Sequence, residues 1–573
     1  MEVDPMSLAM TMFTLSLASA IFHGSDPSLV LTASGPVKGL ANAQWRSFRG
    51  IPFAAPPLGP LRWAPPAPPA KWTSPLDATD YKHNCIQKPS FDPAQPRDTL
   101  SEDCLYLNVF TPPNATKSAK LPVMIWMHGG GYQGGGSNES RLNATYTSAL
   151  TNDMVVVVTN YRLNVFGFAG AKALRSRDTA KGGTGNYGIL DQRAALEWTQ
   201  RNIAAFGGDP TRVMLAGESA GGASVHNHLV RKASWGLFSR AVIESGGYTL
   251  VDPQPEPADM ESSFSQLMKN AKCDDADCLA KLDPDALFKA SNGVDFQPAV
   301  DGVDLDDQIV TLFQQGALAP DVPLLVGSVR EDLGFMLGNM KCTGQGQGDC
   351  SEADFAAFAT ETAKEYGTSV FDAAKFQEIY AKHEVKLPGG NFTKWFWAGK
   401  HAGSDASMIC PARRTAMWLT AGTKCKAFVY NFAHAPNHVY PSGAFHSSEI
   451  PFVFHVLTAT GPNSDKYHLH GEVEIKLSAG MTTYWRNFAS SGDPNVHAKD
   501  GGAGTELALP NWPAYDHSTA DAAMVFGQMD GTDDDGTPAM SPGVKREQCD
   551  FWDGVYNWTD TESSNSSSRK HAV

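Results

Sequence analysis

The chain has 573 residues, 42% of them hydrophobic, and its 61 acidic and 46 basic residues give a net charge of −15. No run of Lys and Arg is longer than two residues, which argues against binding to phosphate backbones and so against nucleic acid as a partner. No apolar stretch of about 20 residues lies inside the chain, so we expect no internal transmembrane helix and no stable membrane insertion.

The amino terminus carries an apolar segment, Met6–Phe22, that ends near a small-residue pattern at 18–20. This arrangement is typical of a secretory signal, although Glu2 and Asp4 stand where positive residues are usual. We predict that residues 1–20 are a signal peptide and that the protein is secreted; an uncleaved anchor and a misassigned start are the alternatives. Sequons that fit a secreted glycoprotein occur at Asn114, Asn138, Asn143, Asn391, Asn557 and Asn565.

The first half of the chain alternates extended segments with one amphipathic helix. Phe48–Pro69 is dense in proline and is predicted as extended chain with tight turns. Leu121–His128 and Met154–Thr159 are apolar, the second with β-branched residues in series, and are predicted as buried strands. Apolar residues at i+4 spacing predict a helix over Asp191–Phe206, which the glycines and proline of the following GGDP segment end.

The next turn carries a serine in a setting that favours nucleophilic attack. Val213–Ala216 is predicted as a buried strand and the small residues from Ala220 as the start of a helix, with Ser219 on the turn between them. Gly217 and Gly221 complete a G-x-S-x-G pattern, in which small neighbours let strand and helix meet sharply and expose the serine oxygen. The helix amino terminus then faces the reacting atom, which suits acyl transfer. An ordinary strand-to-helix turn is the alternative.

Three further buried strands are predicted at Ala241–Glu244, Val322–Ser328 and Lys426–Phe432, with helical segments between them. Strands that alternate with helices and consist of nearly continuous apolar runs indicate an α/β fold, with a parallel or mixed sheet covered on both faces. We find no repeat and no interdomain linker. We therefore predict one catalytic domain over residues 21–558 and a disordered, Ser-rich tail over 559–573.

The nine cysteines are typical of an oxidising compartment, because several are separated by few residues in the sequence, so that a disulfide could close a short loop between them. The closely spaced pairs are Cys85 with Cys104, Cys273 with Cys278, and Cys342 with Cys350. Cys410, Cys425 and Cys549 remain, and since three thiols cannot all pair within one chain, one of them is free or bridges to another molecule. No C-x-x-C occurs, so we expect no structural zinc.

Several motifs together resemble those of the carboxylesterase, type-B lipase and cholinesterase family. The similarity runs from about Phe48 to Asn495 and implies an α/β-hydrolase fold with a mostly parallel central sheet and large loop and helix insertions. The matching segments are SEDCLYLNVF at Ser101, MHGGGY at Met127, NYRLNVFGF at Asn160, GNYGILDQRAALEW at Gly185, FGGDP at Phe206, GESAGG at Gly217 and WRNFASSGDPN at Trp485.

The resemblance also assigns roles to residues around Ser219. The glycine run after His128 keeps backbone N–H groups unobstructed, and the family's oxyanion hole corresponds to the N–H groups of Gly130, Gly131 and Ala220. A flexible loop is the alternative for this run. The family pattern places the catalytic histidine just before the segment that Glu449–Phe454 supplies, which selects His446.

The acid of the triad is less clear from the sequence. The segment GSVREDLGF offers two adjacent carboxylates, Glu331 and Asp332, where the family has one functional position. Counting from Gly327 and back from Phe335 selects Asp332, with Glu331 as the alternative, because Leu333 stands where relatives have Gly. Either carboxylate could orient an imidazole.

These roles predict ester hydrolysis through an acyl-enzyme, with His446 as base and with no metal and no cofactor. The pair His226 and His228 does not suggest a metal site, since residues two apart on a helix face different ways. Because the base must be neutral, activity should fall as pH drops through a value near the ordinary histidine pKa of about 6.5.

The substrate class is predicted only broadly, as a small-molecule or lipid ester. Cholinesterases carry a tryptophan where this chain has Ala94, so a choline-ester preference is not expected. The segment between Cys85 and Cys104 is polar and proline-rich, which favours soluble esters over a triacylglycerol or sterol-ester lipase. A non-catalytic member acting in adhesion or storage is the alternative from another class, and the oligomeric state is left open.

Overall fold

The central element of the fold is a sheet of eleven strands within the part of the chain that the computed structural model describes. The described residues are 26–88, 99–332, 340–344, 348–382, 392–436, 443–459, 468–496, 509–518, 521–528 and 535–558. The predicted signal peptide, Ala94, the predicted tail and the sequons at Asn391 and Asn565 lie outside them.

The strands of the described residues are, in chain order, β1 Leu29–Leu31, β2 Pro36–Lys38, β3 Leu40–Ala41, β4 Arg46–Pro52, β5 Leu76–Asp77, β6 Asn84–Cys85, β7 Leu100–Ser101, β8 Tyr106–Thr111, β9 Leu121–Met127, β10 Val155–Thr159, β11 Gly208–Glu218, β12 Arg240–Glu244, β13 Leu324–Val329, β14 Ala427–Phe432, β15 Ala523–Phe526 and β16 Ala539–Ser541.

The α-helices of the same residues are α1 Thr145–Thr151, α2 Asn164–Phe168, α3 Tyr187–Asn202, α4 Ala220–Val230, α5 Pro257–Ala271, α6 Ala276–Lys281, α7 Pro284–Ala290, α8 Ile309–Gln314, α9 Glu352–Tyr366, α10 Ala373–Ala381, α11 Lys394–Ser404, α12 Cys410–Gly422, α13 Ile450–Val453, α14 Gly471–Ser491 and α15 Arg546–Val555. A π-helix, Asp405–Ile409, joins α11 to α12. No helix of the described ranges combines the length and apolar composition that crossing a membrane requires.

The sheet is parallel at its centre and antiparallel at both edges. Its order is β16-β15-β14-β13-β12-β11-β9-β10-β8-β4-β3, and each neighbouring pair from β15 to β10 is parallel. The pairs at the two ends, including β4 with β8, are antiparallel. The predicted α/β-hydrolase architecture with a mostly parallel sheet is therefore confirmed.

Both faces of the sheet are covered, because successive side chains of each central strand enter different cores. In β9, Val123 and Ile125 join one core, whereas Met124 and Trp126 join the other. The first core includes residues of α3 and α4, and the second includes residues of α13 and α14. This double burial explains why the strands read as continuous apolar runs rather than as an alternating pattern.

Two predicted segments differ in detail from the structure. The proline-rich segment begins inside β4, which pairs with β8, and it contains one turn of 3₁₀ helix at Gly59–Leu61. The predicted helix over Asp191–Phe206 starts four residues earlier, at Tyr187, and ends at Asn202, after which the chain tightens into a 3₁₀ turn.

Four disulfides join cysteines of the described residues. They are Cys85–Cys104, Cys273–Cys278, Cys342–Cys350 and Cys410–Cys549. The pairing that the sequence leaves open is thus Cys410 with Cys549, and Cys425 is the free thiol.

Candidate active site

Ser219 lies on a strained turn between β11 and α4. Its φ of 58° and ψ of −125° lie outside the regions that a non-glycine residue adopts readily. The turn is held by backbone hydrogen bonds: Ser219 N donates to Glu244 O at 2.9 Å, and Ser219 O accepts from Ala223 N at 2.8 Å. Ser219 keeps 8% of its surface exposed, whereas Glu218 and Ala220 on either side keep 1% and 0%. The turn therefore presents the serine oxygen at the carboxyl edge of the sheet.

Two glycines allow the strand and the helix to approach this closely. A Cβ on Gly221 would lie 2.0 Å from the carbonyl oxygen of Met127, at the end of the neighbouring strand β9. A Cβ on Gly217 would lie 2.5 Å from the carbonyl carbon of Gly221. Since backbone atoms cannot move aside as a flexible side chain can, both positions exclude any larger residue.

The glycine run after β9 lies directly beside Ser219. A Cβ on Gly129 would lie 3.0 Å from Ser219 Cβ. Gly130 and Gly131 have φ values of 111° and 60°, which favour glycine, and the carbonyl of Gly130 accepts from Gly134 N, at 3.0 Å. A Cβ on Gly131 would meet nothing within 4 Å, so this part of the loop faces open space.

Side chains from other elements hold the glycine loop in place. Gln87 accepts from Gly135 N at 2.9 Å and donates to Gly135 O at 2.8 Å. Tyr161 donates to the carbonyl of His128 at 2.7 Å, and the His128 ring stacks on it. Glu139 accepts from Gly136 N at 3.0 Å. The loop is thus fixed from three sides.

Asp332 and His446 are in direct contact, although 114 residues separate them in the sequence. Asp332 follows β13, is fully buried, and places Oδ1 2.5 Å from Nδ1 of His446. The other ring nitrogen, Nε2, lies 3.2 Å from Oε1 of Glu218, the residue directly before Ser219. In the described part of the chain the Ser219 hydroxyl makes no hydrogen bond.

Glu331, the alternative acid, has different partners. Its carboxylate accepts from Arg330 Nε at 2.5 Å and from the backbone N–H of Ala444 at 2.7 Å, and it lies 2.9 Å from Nε2 of His401. Asp332 therefore contacts the imidazole of His446, and Glu331 contacts the backbone two residues before it.

Comparison with known proteins gives the family. The sequence profile of the "Carboxylesterase family" matches residues 26–552. The human protein "Cocaine esterase" is 33% identical over 90% of this chain and 88% of its own length. "Acetylcholinesterase" of Bungarus fasciatus is 31% identical over 91% of this chain and 85% of its own length.

A solved structure described as "PNB ESTERASE" superposes with a TM-score of 0.72 at 28% identity, and covers 92% of this chain and 99% of its own. The chain belongs to the carboxylesterase family. As a member with several esterases among its relatives, it is a carboxylic ester hydrolase.

The electrostatics of this carboxylesterase favour a charged imidazole in the free enzyme. Burial lowers the pKa of His446, but the carboxylates of Glu218 and Asp332 outweigh burial and raise the pKa to about 9. The loss of activity at low pH is therefore expected above the ordinary histidine value of about 6.5, rather than near it.

Two buried glutamates that the sequence did not single out lie beneath the carboxylesterase site. Burial raises the pKa of Glu244 to about 8, and it raises the pKa of Glu449 well above its usual range. Trp485 Nε1 donates to Glu244 at 2.8 Å, and Ser245 Oγ lies 3.5 Å from Glu449. The signal available in the sequence was a charged residue that ends an apolar strand, as Glu244 ends the run RAVIE.

The side chains of His226 and His228 make hydrogen bonds within the core. His226 contacts Thr415 at 3.1 Å, and His228 contacts Ser234 at 2.8 Å and Gln192 at 3.1 Å. Burial lowers the pKa of both rings, so both are neutral hydrogen-bonding groups of the core.

Proposed function

We propose that the carboxylesterase hydrolyses its esters with a triad of Ser219, His446 and Asp332, through an acyl-enzyme intermediate. The observation that carries the proposal is the 2.5 Å contact between Asp332 Oδ1 and His446 Nδ1, which turns Nε2 of the ring toward the Glu218–Ser219 corner. A carboxylate on Nδ1 fixes the tautomer in which Nε2 can accept a proton.

In the first half of the reaction, neutral His446 takes the proton of Ser219 at Nε2 while the serine oxygen attacks the ester carbonyl. The imidazolium, stabilised by Asp332, then gives this proton to the leaving alcohol. In the second half, water attacks the acyl-enzyme, with His446 again as base, and the carboxylic acid leaves.

The oxyanion is held by the backbone N–H groups of Gly130, Gly131 and Ala220. Ala220 is the first residue of α4, whose amino-terminal N–H groups have no partner within the helix and carry a partial positive charge. Two observations support this role for the glycine loop: Gly129 lies close to Ser219, and Gly131 faces open space. One such donor typically contributes about 2.7–4 kcal/mol to the transition state.

The proposed substrates are small, soluble carboxylic esters. Two of the relatives are named for small esters: "Cocaine esterase" and "Para-nitrobenzyl esterase" of Bacillus subtilis, the latter 30% identical over 87% of this chain. Rates on short p-nitrophenyl esters should therefore exceed rates on an emulsified triacylglycerol. A faster rate on the emulsion would make the protein a lipase.

We further propose that the protein is a secreted glycoprotein. Four disulfides are typical of an oxidising compartment. Among the described sequons, Asn114 and Asn557 are exposed, so they can accept a glycan without unfolding. Recovery of unglycosylated protein from the cytosol of a eukaryotic host carrying the full-length gene would contradict this proposal.

The catalytic proposal is tested with p-nitrophenyl acetate and the variant Ser219→Ala. We expect kcat to fall by a factor of about 10⁴ to 10⁶, since the residual rate would come only from binding and the oxyanion hole. Ser518→Ala, on an exposed turn, is the matched control and should keep the wild-type rate. Equal rates for wild type and Ser219→Ala would remove the proposed mechanism.

A further inference from the structure

We propose that Glu331 is a positioning residue that fixes the loop of His446, and that it thereby sets the hydrogen bond between Asp332 and His446. The inference rests on the proposed roles of Ser219, Asp332 and His446. The inference gives a function to the Glu331 carboxylate, which contacts neither the imidazole of His446 nor Ser219.

Glu331 holds the loop through its backbone and its side chain at once. The N–H of Glu331 donates to the carbonyl of Ala444 at 3.1 Å, and the N–H of Ala444 donates back to the Glu331 carboxylate at 2.7 Å. A parallel bridge pairs Glu331 with Phe445. The chain is therefore fixed at the two residues directly before His446.

The carboxylate is held from the other side by two buried groups. Arg330 Nε donates to Oε1 at 2.5 Å, and Nε2 of His401 in α11 lies 2.9 Å from the same oxygen. Burial lowers the pKa of His401 to about 4, so the ring is neutral and its Nε2–H donates to the carboxylate. Arg330 is itself held, by a 2.7 Å hydrogen bond to the carbonyl of Gln528. Because Arg330 and His401 contact one oxygen of the Glu331 carboxylate and Ala444 N–H contacts the other, the carboxylate is held in one position.

The loop before His446 has a glycine, Gly443, at the position where the Glu331 carboxylate packs against it. Gly443 has a φ of +72°, and a Cβ there would lie 2.6 Å from Oε2 and 2.8 Å from Cδ of Glu331. The carboxylate thus occupies the volume in which any other residue at 443 would place its side chain. A larger residue at 443 would have to displace the Glu331 carboxylate and would also have to adopt an unfavourable positive φ.

The short segment 330–332 therefore contacts both the backbone before His446 and the His446 ring. Arg330 N donates to Phe432 O at 2.8 Å, and Ser404 Oγ donates to Asp332 O at 2.7 Å, so the segment is fixed to β14 and α11. Glu331 holds the backbone before His446, and Asp332 holds its ring. Because the two carboxylates belong to consecutive residues, one backbone segment positions both the His446 loop and the group that contacts the His446 ring.

The test uses Glu331→Asp and Glu331→Gln in the full chain, with rates normalised to the number of active sites by titration with a serine-reactive phosphonate. The aspartate keeps the charge but is one methylene shorter, so it cannot hold both Arg330 and Ala444. The glutamine keeps the length but loses the charge. We expect both to lower kcat for p-nitrophenyl acetate about 10- to 100-fold, with KM within about two-fold of wild type, because displacement of a reacting group by about 1 Å can cost 10²-fold.

The pH profile separates positioning from a merely structural role. Burial lowers the pKa of His446, the carboxylates of Glu218 and Asp332 raise it, and Arg141 lowers it. If the Glu331 variants let the His446 ring move away from Asp332, the acidic limb of the kcat/KM profile shifts to lower pH. Glu331→Asp should show this shift as well as Glu331→Gln, although it keeps the negative charge at 331. A structural role alone would lower the Tm and leave both kcat per titrated site and the limb unchanged.

Gly443→Ala provides an independent variant, because its Cβ pushes on the same carboxylate from the loop. We expect the same fall in kcat and the same shift of the limb. Gly471→Ala is the matched control: Gly471 also has a positive φ, of 75°, but a Cβ there meets nothing within 4 Å. It should keep the wild-type profile.

The outcomes distinguish this inference from the proposed mechanism. If Ser219→Ala loses activity while the Glu331 variants and Gly443→Ala keep the wild-type kcat and limb, the inference is wrong and the triad stands. If Ser219→Ala is as active as wild type, the proposed mechanism fails first. Loss of kcat and a shifted limb in both Glu331 variants and in Gly443→Ala, but not in Gly471→Ala, support the inference.

Discussion

The two halves of the site are held by different kinds of contact. On the Ser219 side, backbone touches backbone: Gly221 lies against the carbonyl of Met127, and Ser219 N donates to Glu244 O. On the His446 side, side chains add to the backbone contact between Glu331 and Ala444: the Glu331 carboxylate also holds the loop, and Asp332 holds the ring.

This difference predicts two ways of failing. Backbone contacts between a strand and a helix leave no room for adjustment, so a larger residue at Gly217 or Gly221 should prevent folding. Side-chain contacts on the His446 side can lengthen or be exchanged, so changes there should alter stability and the pH profile by degrees. The same contrast governs how much of each half can be read from the sequence.

The largest effect is expected for Gly221→Ala. Its new Cβ would lie 2.0 Å from Met127 O, far inside contact distance, and β9 cannot move without breaking its pairing with β10 and β11. We expect no soluble folded protein. Expression yield and urea denaturation measure this.

Gly554→Ala in α15 is the control for that experiment, since a Cβ at 554 meets nothing within 4 Å. Alanine there should be neutral or slightly stabilising, by up to about 1 kcal/mol. If Gly221→Ala were as stable as Gly554→Ala, the elbow would not depend on backbone contact, and the distinction between the two halves would be lost.

The next effect is expected on the His446 side, for Cys549→Ala. The Cys410–Cys549 disulfide ties α12 to α15 across a sequence separation of 139, and α12 continues the helical segment that carries His401 and Ser404. Loop-closure entropy gives a destabilisation of about 5 kcal/mol for a loop of this length. Denaturant unfolding should show it, while the free thiol control, Cys425→Ser, should change stability by less than about 0.5 kcal/mol.

A smaller effect is expected for Glu218→Gln, measured as the acidic limb of kcat/KM. His446 must be neutral to act as base, so activity rises as pH increases through its pKa. The Glu218 carboxylate raises that pKa, so its removal should move the limb toward lower pH by about one pH unit. A limb that stays in place, or moves to higher pH, would show that Glu218 does not interact with the imidazole.

The Ser219 half could be predicted because its determinants are local. Gly217, Ser219 and Gly221 lie within five residues, and the strand and helix on either side have the patterns expected of buried elements. The predicted strands at 121, 154, 241, 322 and 426 all lie in the sheet, with ends shifted by one or two residues. Only the start of β11, at Gly208, was far from its prediction at Val213.

The His446 half could not be predicted to the same depth, because its contacts join distant parts of the chain. Glu331 and Asp332 are adjacent and chemically alike, and only the positions of His401 and Ala444 assign one to the loop and the other to the ring. The partner of Cys549 was equally hidden, since a separation of 139 residues leaves no local pattern.

The most direct measurement is a double-mutant cycle on Ser219 and Asp332, with kcat on p-nitrophenyl acetate per folded protein. Asp332→Asn alone should reduce kcat by about 10⁴, because the amide no longer fixes the His446 tautomer in which Nε2 can accept a proton. Combined with Ser219→Ala, it should cost no more than Ser219→Ala alone, since members of a triad act as a unit. Additive losses, or an Asp332→Asn variant within about ten-fold of wild type, would contradict the triad.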